Sequence, residues 1–152
     1  MRLGHVAWGY TRTVDGELVY TFGSVEDSTG LPVAPPSRME FWQESAPRDQ
    51  LARLKATLER LGYRRYKCWR VDGPDSAAAD AAALRQSART YLVCGNNCLD
   101  SVHLILTAYG ATDFHLLDPR HPRSWVPNSW FDSIPAPLMP LAALLPGGSV
   151  AV

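Results

Sequence analysis

Covalent and ionic devices are scarce in this chain of 152 residues. It has three cysteines, Cys68, Cys94 and Cys98, an odd number that makes no disulfide framework. Its 15 basic and 15 acidic residues cancel, and no long basic run disturbs the balance. That excludes an electrostatic membrane anchor and argues against nucleic-acid binding. No segment approaches the roughly 18 consecutive apolar residues of a membrane-spanning helix, so no membrane span is expected. Residues 1–20 do not read as a signal peptide, because Arg2, His5, Arg12 and Asp15 interrupt any apolar stretch. The expectation is a cytoplasmic protein with free thiols, or a domain of a longer or otherwise exported one.

What is present is an ordinary globular composition, 46% apolar, on a length that can bury one real core. Residues 2–10 read as a strand, with Val6, Trp8 and Tyr10 alternating with smaller residues. An Asp15-Gly16 turn joins it to a second strand over Leu18–Phe22, which makes a hairpin. Residues 23–37, with Gly30, Pro32, Pro35 and Pro36, read as a long loop. Ser45 is placed to cap a helix from Pro47 to Leu61, stopped by Gly62. A strand over Tyr63–Val71 follows, then an Ala-rich helix from Asp75 to about Arg89 and a short apolar run, Tyr91–Cys94. Cys98–Tyr109 has the periodicity of a buried helix, with Gly110 as its terminator. Phe114–Leu117 reads as a strand and Asn128–Ile134 as a short helix. The remainder, 135–152, reads as an apolar Pro-rich tail that packs on a protein partner or across a cleft. The order is ββ-α-β-α-α-β-α, an α+β domain over 1–134.

Cys98 is where chemistry is expected. A cysteine in the first turn of a helix meets unpaired N–H groups and about half a positive charge, and both favour the thiolate. The same donors suit an oxyanion, and Asn96 and Asn97 stand beside it as a cap and a side-chain donor. The plain alternative is a small buried residue under a helix start. Four histidines are candidate bases. His103 lies about 140° around the helix from Cys98 and faces elsewhere. His121 sits in a Pro- and Arg-rich loop, and His115 in an apolar strand. His5 begins a strand after Gly4, beside the small Ala7 and Gly9, a sound position for a general base, and Trp8 is placed to wall a substrate cleft. A zinc set of Cys94, Cys98, His103 and His115 has the right atoms but poor spacing, so no metal is assigned. A Cys94–Cys98 disulfide is the redox alternative.

The order GHVAW at 4–8, a hairpin, a helical middle and then NNC at 96–98 opening an apolar helix resembles the circularly permuted NlpC-type papain-like superfamily. That group includes lecithin retinol acyltransferase-like proteins and bacterial cysteine amidases and peptidases. Leu116-Leu117-Asp118-Pro119 and Pro127–Phe131 are similar to the closing segment of bacterial members. The resemblance implies an antiparallel sheet packed against the helix that carries the cysteine. It makes Cys98 the nucleophile and His5 its base, with an orienting polar residue on the strand paired with the histidine strand. There the usual His, Asn or Gln is replaced by Thr21, Ser24 and Glu26. Glu26 is the best chemical choice, because a carboxylate fixes the imidazole tautomer; pairing about Asp15-Gly16 sets His5 opposite Val25 or Glu26. The implied function is an amidase, peptidase or acyltransferase acting on a peptide, amide or acyl substrate through a thioester, without a cofactor. The alternative is an inactive papain-like binding or assembly module. An open cleft with His5 within hydrogen-bond reach of Cys98 supports the enzyme, and a sealed one sinks it.

Overall fold

The computed structural model describes residues 5–27, 33–34, 39–92, 96–111, 118, 126–143 and 148–151. The chain folds as α+β around a five-stranded sheet in which every neighbouring pair is antiparallel. Strands β1 (Trp8–Val14) and β2 (Glu17–Asp27) form the expected hairpin. Asp15 and Gly16 both take positive φ, 51° and 83°, as a tight turn between twisted strands needs. A two-residue ribbon pairs β3 (Val33–Ala34) with β6 (Tyr91–Leu92). The remaining strands are β4 (Met39–Pro47), β5 (Lys67–Arg70) and β7 (Gly148–Ala151), and the sheet runs β4-β2-β1-β7-β5.

Cross-strand pairs put one set of side chains on each face. Trp8 and Tyr10 of β1 point to the face covered by α2 (Ser76–Ser87) and α3 (Cys98–Tyr109). Tyr20 and Phe22 of β2 point to the other, covered by α1 (Leu51–Arg60) through Leu51, Leu54 and Leu58. The short α4 (Pro127–Ser133) adds Trp130 and Phe131 to the first core. Leu99, Val102, Ile105, Leu106 and Tyr109 of α3 are almost wholly buried. Each such side chain contributes at most about 1.5–3 kcal/mol, so α3 is the main apolar anchor of its face. Tyr10 and Arg12 both bind Asp80 of α2, the latter at 2.8 Å, and Tyr109 donates to the Thr11 carbonyl at 2.6 Å. Among the described residues no helix is long and apolar enough to cross a membrane.

Several expectations are corrected. The second strand does not stop at Phe22; it continues to Asp27 through the start of the expected loop, and Met39–Pro47, where the sequence suggests only the Ser45 cap and the Pro47 helix start, forms β4 beside it. Ser45 therefore caps nothing: its hydroxyl shares a hydrogen bond with Thr21 at 2.8 Å, and the helix begins at Leu51 after a 3-10 turn over Arg48–Gln50. The strand expected from Tyr63 begins only at Lys67. The largest correction concerns 135–152. Gly148–Ala151 fills the gap between β1 and β5, and without it β5 has no partner in the sheet. Leu141 is buried, and Met139 N–H donates to the Tyr66 carbonyl at 2.9 Å. The chain uses part of this segment in its own sheet and core, so it is not a wholly disordered tail beyond residue 134. Leu144, Leu145 and the strand expected at Phe114–Leu117 lie outside the described residues.

Gly23 lies across from Trp8, and a Cβ there would sit 2.4 Å from the Trp8 ring and 2.6 Å from the Trp42 carbonyl oxygen. Neither neighbour can yield, one being a buried indole and the other backbone. Gly23→Ala is expected to destabilise the fold by about 3 kcal/mol, as overpacking does. Urea unfolding checks this; a variant within 0.5 kcal/mol of wild type, roughly the scatter of neutral surface changes, contradicts the packing account.

Candidate functional site

The start of α3 is built by its neighbours in sequence. Asn97 Oδ1 accepts from the Leu99 and Asp100 N–H groups at 2.8 and 3.2 Å, and Asp100 Oδ2 accepts from the Asn97 N–H at 3.1 Å. This reciprocal capping box fixes Cys98 as the first helical residue. It also occupies two of the donors expected to hold an oxyanion, and leaves the Cys98 N–H for that task. Asn97 is thus a cap, as expected. Asn96 is tied elsewhere: Nδ2 donates to the Thr90 carbonyl and its backbone pairs with Leu92.

The helix start presses Cys98 against the beginning of the sheet. The thiol is 2% exposed, and burial pushes its pKa up to about 11. The backbone N–H groups of Val6, Leu99 and Cys98 itself act the other way, favouring the thiolate, while nearby Glu26 raises the value further. Val6 follows His5 directly, so the nucleophile candidate meets the histidine strand one residue from the base candidate.

The ladder between β1 and β2 ends at the pair Trp8 and Gly23, so His5 precedes the paired strand and the expected pairing with Val25 or Glu26 is not part of it. The carboxylate is not engaged with the imidazole. Glu26 Oε1 accepts from Tyr63 Oη at 2.8 Å and from Ser24 Oγ at 3.2 Å. Tyr63 is 4% exposed; burial first, then the charge of Glu26, keeps its hydroxyl protonated well above the usual tyrosine range. Ser24 is among the residues the sequence offers on this strand, whereas Tyr63 is not expected at the site. Tyr63 sits in a run, YRRYKCW, that reads as a strand face, and its only signal is its place just after the helix-stopping Gly62.

His5 itself is exposed, and among the described residues no hydrogen bond joins it to Cys98. It lines a surface cleft of about 130 Å³ with the Gly62–Arg65 stretch and with Asn128 and Phe131 of α4. Trp8 does not wall that cleft: it is fully buried against Phe41, with ring centroids 6.0 Å apart, because its strand position faces α3. Cys98 and Cys68 are free thiols, and Cys94, His115 and His121 lie outside the described residues. Among the described residues no group of three or more His, Cys, Asp or Glu side chains is placed to hold a metal. In this state the site presents a neutral, enclosed thiol, a carboxylate latched by a phenol, and a histidine facing solvent.

The pH dependence of stability follows from the thiols. Burial raises both Cys98 and Cys68 from the ordinary 9.0 to about 11. A thiol harder to ionise in the fold than in the unfolded chain contributes stability below pH 9, and that contribution is lost as pH rises through 11. The urea midpoint is expected to fall between pH 8 and pH 11, and to fall less in Cys98→Ala. An identical slope in the variant contradicts the assignment of the buried thiol. Compared with family models, with curated proteins and with solved structures, the chain matches none.

Proposed function

We propose that this domain is a cysteine-dependent acyl- or amide-bond enzyme of papain-like, permuted order, with Cys98 as nucleophile, His5 as base and Glu26 as the group that orients His5. The observation that supports it is one juxtaposition: Val6, the residue after His5, sets its N–H against the Cys98 thiol at the start of α3, and the charge of Glu26 reaches the same thiol. In the reaction, His5 takes the thiol proton and sulfur attacks the carbonyl carbon. The oxyanion forms beside the Cys98 N–H. Collapse breaks the bond to the leaving amine or alcohol, which takes the proton from His5, and leaves an acyl thioester on Cys98. Water, or an acceptor amine or alcohol, then gives a proton to His5 and displaces the thiolate, which is hydrolysis in the first case and acyl transfer in the second.

The described arrangement, a sealed thiol with His5 at the surface, counts against the enzyme, so catalysis needs a second arrangement. Chemistry requires the His5 ring to turn from the surface cleft onto Cys98, and Glu26 to exchange Tyr63 for the imidazole. This reading sets the protein in a reducing compartment, where Cys98 stays a thiol. The sealed thiol is also the observation that favours a second reading, an inactive papain-like module that binds or assembles through its surface.

Cys68 supplies an internal standard, since burial raises both thiols to about the same value. The enzyme reading expects iodoacetamide at pH 7 to label Cys98 roughly tenfold faster than Cys68, through the open population, and His5→Ala to abolish the difference. Peptide mapping reads both rates in one sample. If Cys98 reacts no faster than Cys68, and His5 makes no difference, the enzyme reading falls and the module stands.

A further inference from the structure

The cleft beside His5 has a charge count and a shape of its own, separate from the thiol. Its walls come from three places: His5 before β1, the Gly62–Arg65 link between α1 and β5, and Asn128 and Phe131 of α4. Tyr63 closes its inner side, with its hydroxyl turned away to Glu26. The basic residues here are not alike. Arg65 is paired with Asp132 and lies over the Phe131 ring, 4.7 Å from its centroid. Lys67, behind Phe131, gives its ammonium to the Asp132 and Ile134 carbonyls at 3.0 and 2.7 Å. Arg64 is exposed, and among the described residues it makes no ion pair.

The charges around the cleft are Arg64, Arg65 and Lys67 against Asp132 and Glu26, which leaves one positive charge in excess, and the guanidinium free to answer for it is Arg64. A planar guanidinium fits a carboxylate with two parallel hydrogen bonds. His5 and Asn128 add hydrogen-bonding groups on the rim, and the face of Phe131 gives an apolar wall. A volume of about 130 Å³ admits a small acid with a short apolar or aromatic group, and no folded partner segment. One excess charge matches a carboxylate; a phosphate dianion would leave a charge unanswered.

We infer that this cleft is a binding site for a small carboxylate-bearing ligand, held by Arg64 and flanked by His5, Asn128 and Phe131. The site stands on its own geometry and does not depend on Cys98 acting as a nucleophile. If the thiol reading also holds, the cleft adjoins the base candidate and selects substrates with a free carboxylate.

The test is an NMR titration of the full chain with N-acetyl-L-phenylalanine, its neutral N-methylamide and inorganic phosphate, each read at His5, Gly62, Arg64 and Phe131. The carboxylate is expected to give saturating shifts there. Arg64→Gln is expected to weaken it at least tenfold, whereas Arg85→Gln, on the exposed side of α2, leaves it unchanged. Equal saturation by the neutral amide overturns the site, as does an unaltered titration in Arg64→Gln. Tighter binding of phosphate than of the carboxylate overturns the ligand class. The same titration in Cys98→Ala is expected to match wild type, so a failure of the thiol reading and a failure of this one are told apart.

Discussion

Asp15 and Gly16 reverse the chain with both residues in the left-handed region, and from that turn the pairing of β1 with β2 is counted out residue by residue. Two glycines lock the count. Gly9 lies opposite Phe22 on one face and Gly23 opposite Trp8 on the other, and in each pair the ring lies over its glycine where a Cβ would be. A slip of one residue would bring a side chain under each ring and turn Trp8 away from α3. Everything at the candidate site inherits this register. It fixes where β1 begins beside β2, just after Val6 meets the thiol. It also aims the aromatic side chains of β1 at α3 and those of β2 at α1.

Local signals in the sequence reach as far as local physics does. The hairpin turn, the Asp75 cap of α2, the Asn97 start and Gly110 stop of α3, and the Pro127 start of α4 are each settled within a few residues, and each is found where the sequence expects it. What fails is pairing at a distance. Residues 39–47 carry Glu40, Gln43, Glu44 and a proline, which look like a helix approach, and only the long β2 beside them makes them a strand. Gly148–Ala151 has almost no strand propensity of its own. It is a strand because β1 and β5 leave unpaired N–H and C=O groups on both sides of it, and buried backbone groups must find partners. The candidate site divides in the same way. Cys98 and Asn97 are legible from a helix start, and His5 and Glu26 from a resemblance and a turn. Tyr63 is not, since nothing near residue 63 shows that Glu26 lies above it.

At Cys98 two effects of opposite sign meet, and their sizes decide the resting state. A helix start favours an anion by about 0.3–1 kcal/mol at the surface and up to about 2 in a partly buried setting. Burial works against it, and the thiol pKa of about 11 against an ordinary 9.0 shows that burial wins, at about 1.4 kcal/mol for each pKa unit. The capping box limits the favourable side, because Asn97 accepts from the Asp100 N–H and shares the Leu99 N–H with the sulfur. The same residue that fixes Cys98 at the helix start therefore limits how far that start can activate it.

Glu26 is the group through which closed and open states differ most. Held by Tyr63 and Ser24, its negative charge stands near Cys98 with no imidazolium between them, and so it favours the neutral thiol. With His5 turned inward, the same carboxylate would face an imidazolium, and the cation would stand between the two anions. Its effect on the thiolate would then be indirect and favourable, through the charge and orientation of the ring. One half-buried carboxylate thus opposes ionisation in one arrangement and would support it in the other. The choice rests on whether a phenol or an imidazole is its donor. Tyr63 is well placed to make that choice, because its ring also forms the inner side of the cleft that His5 lines. A ligand settling in the cleft would touch Tyr63, which holds Glu26, and His5 together.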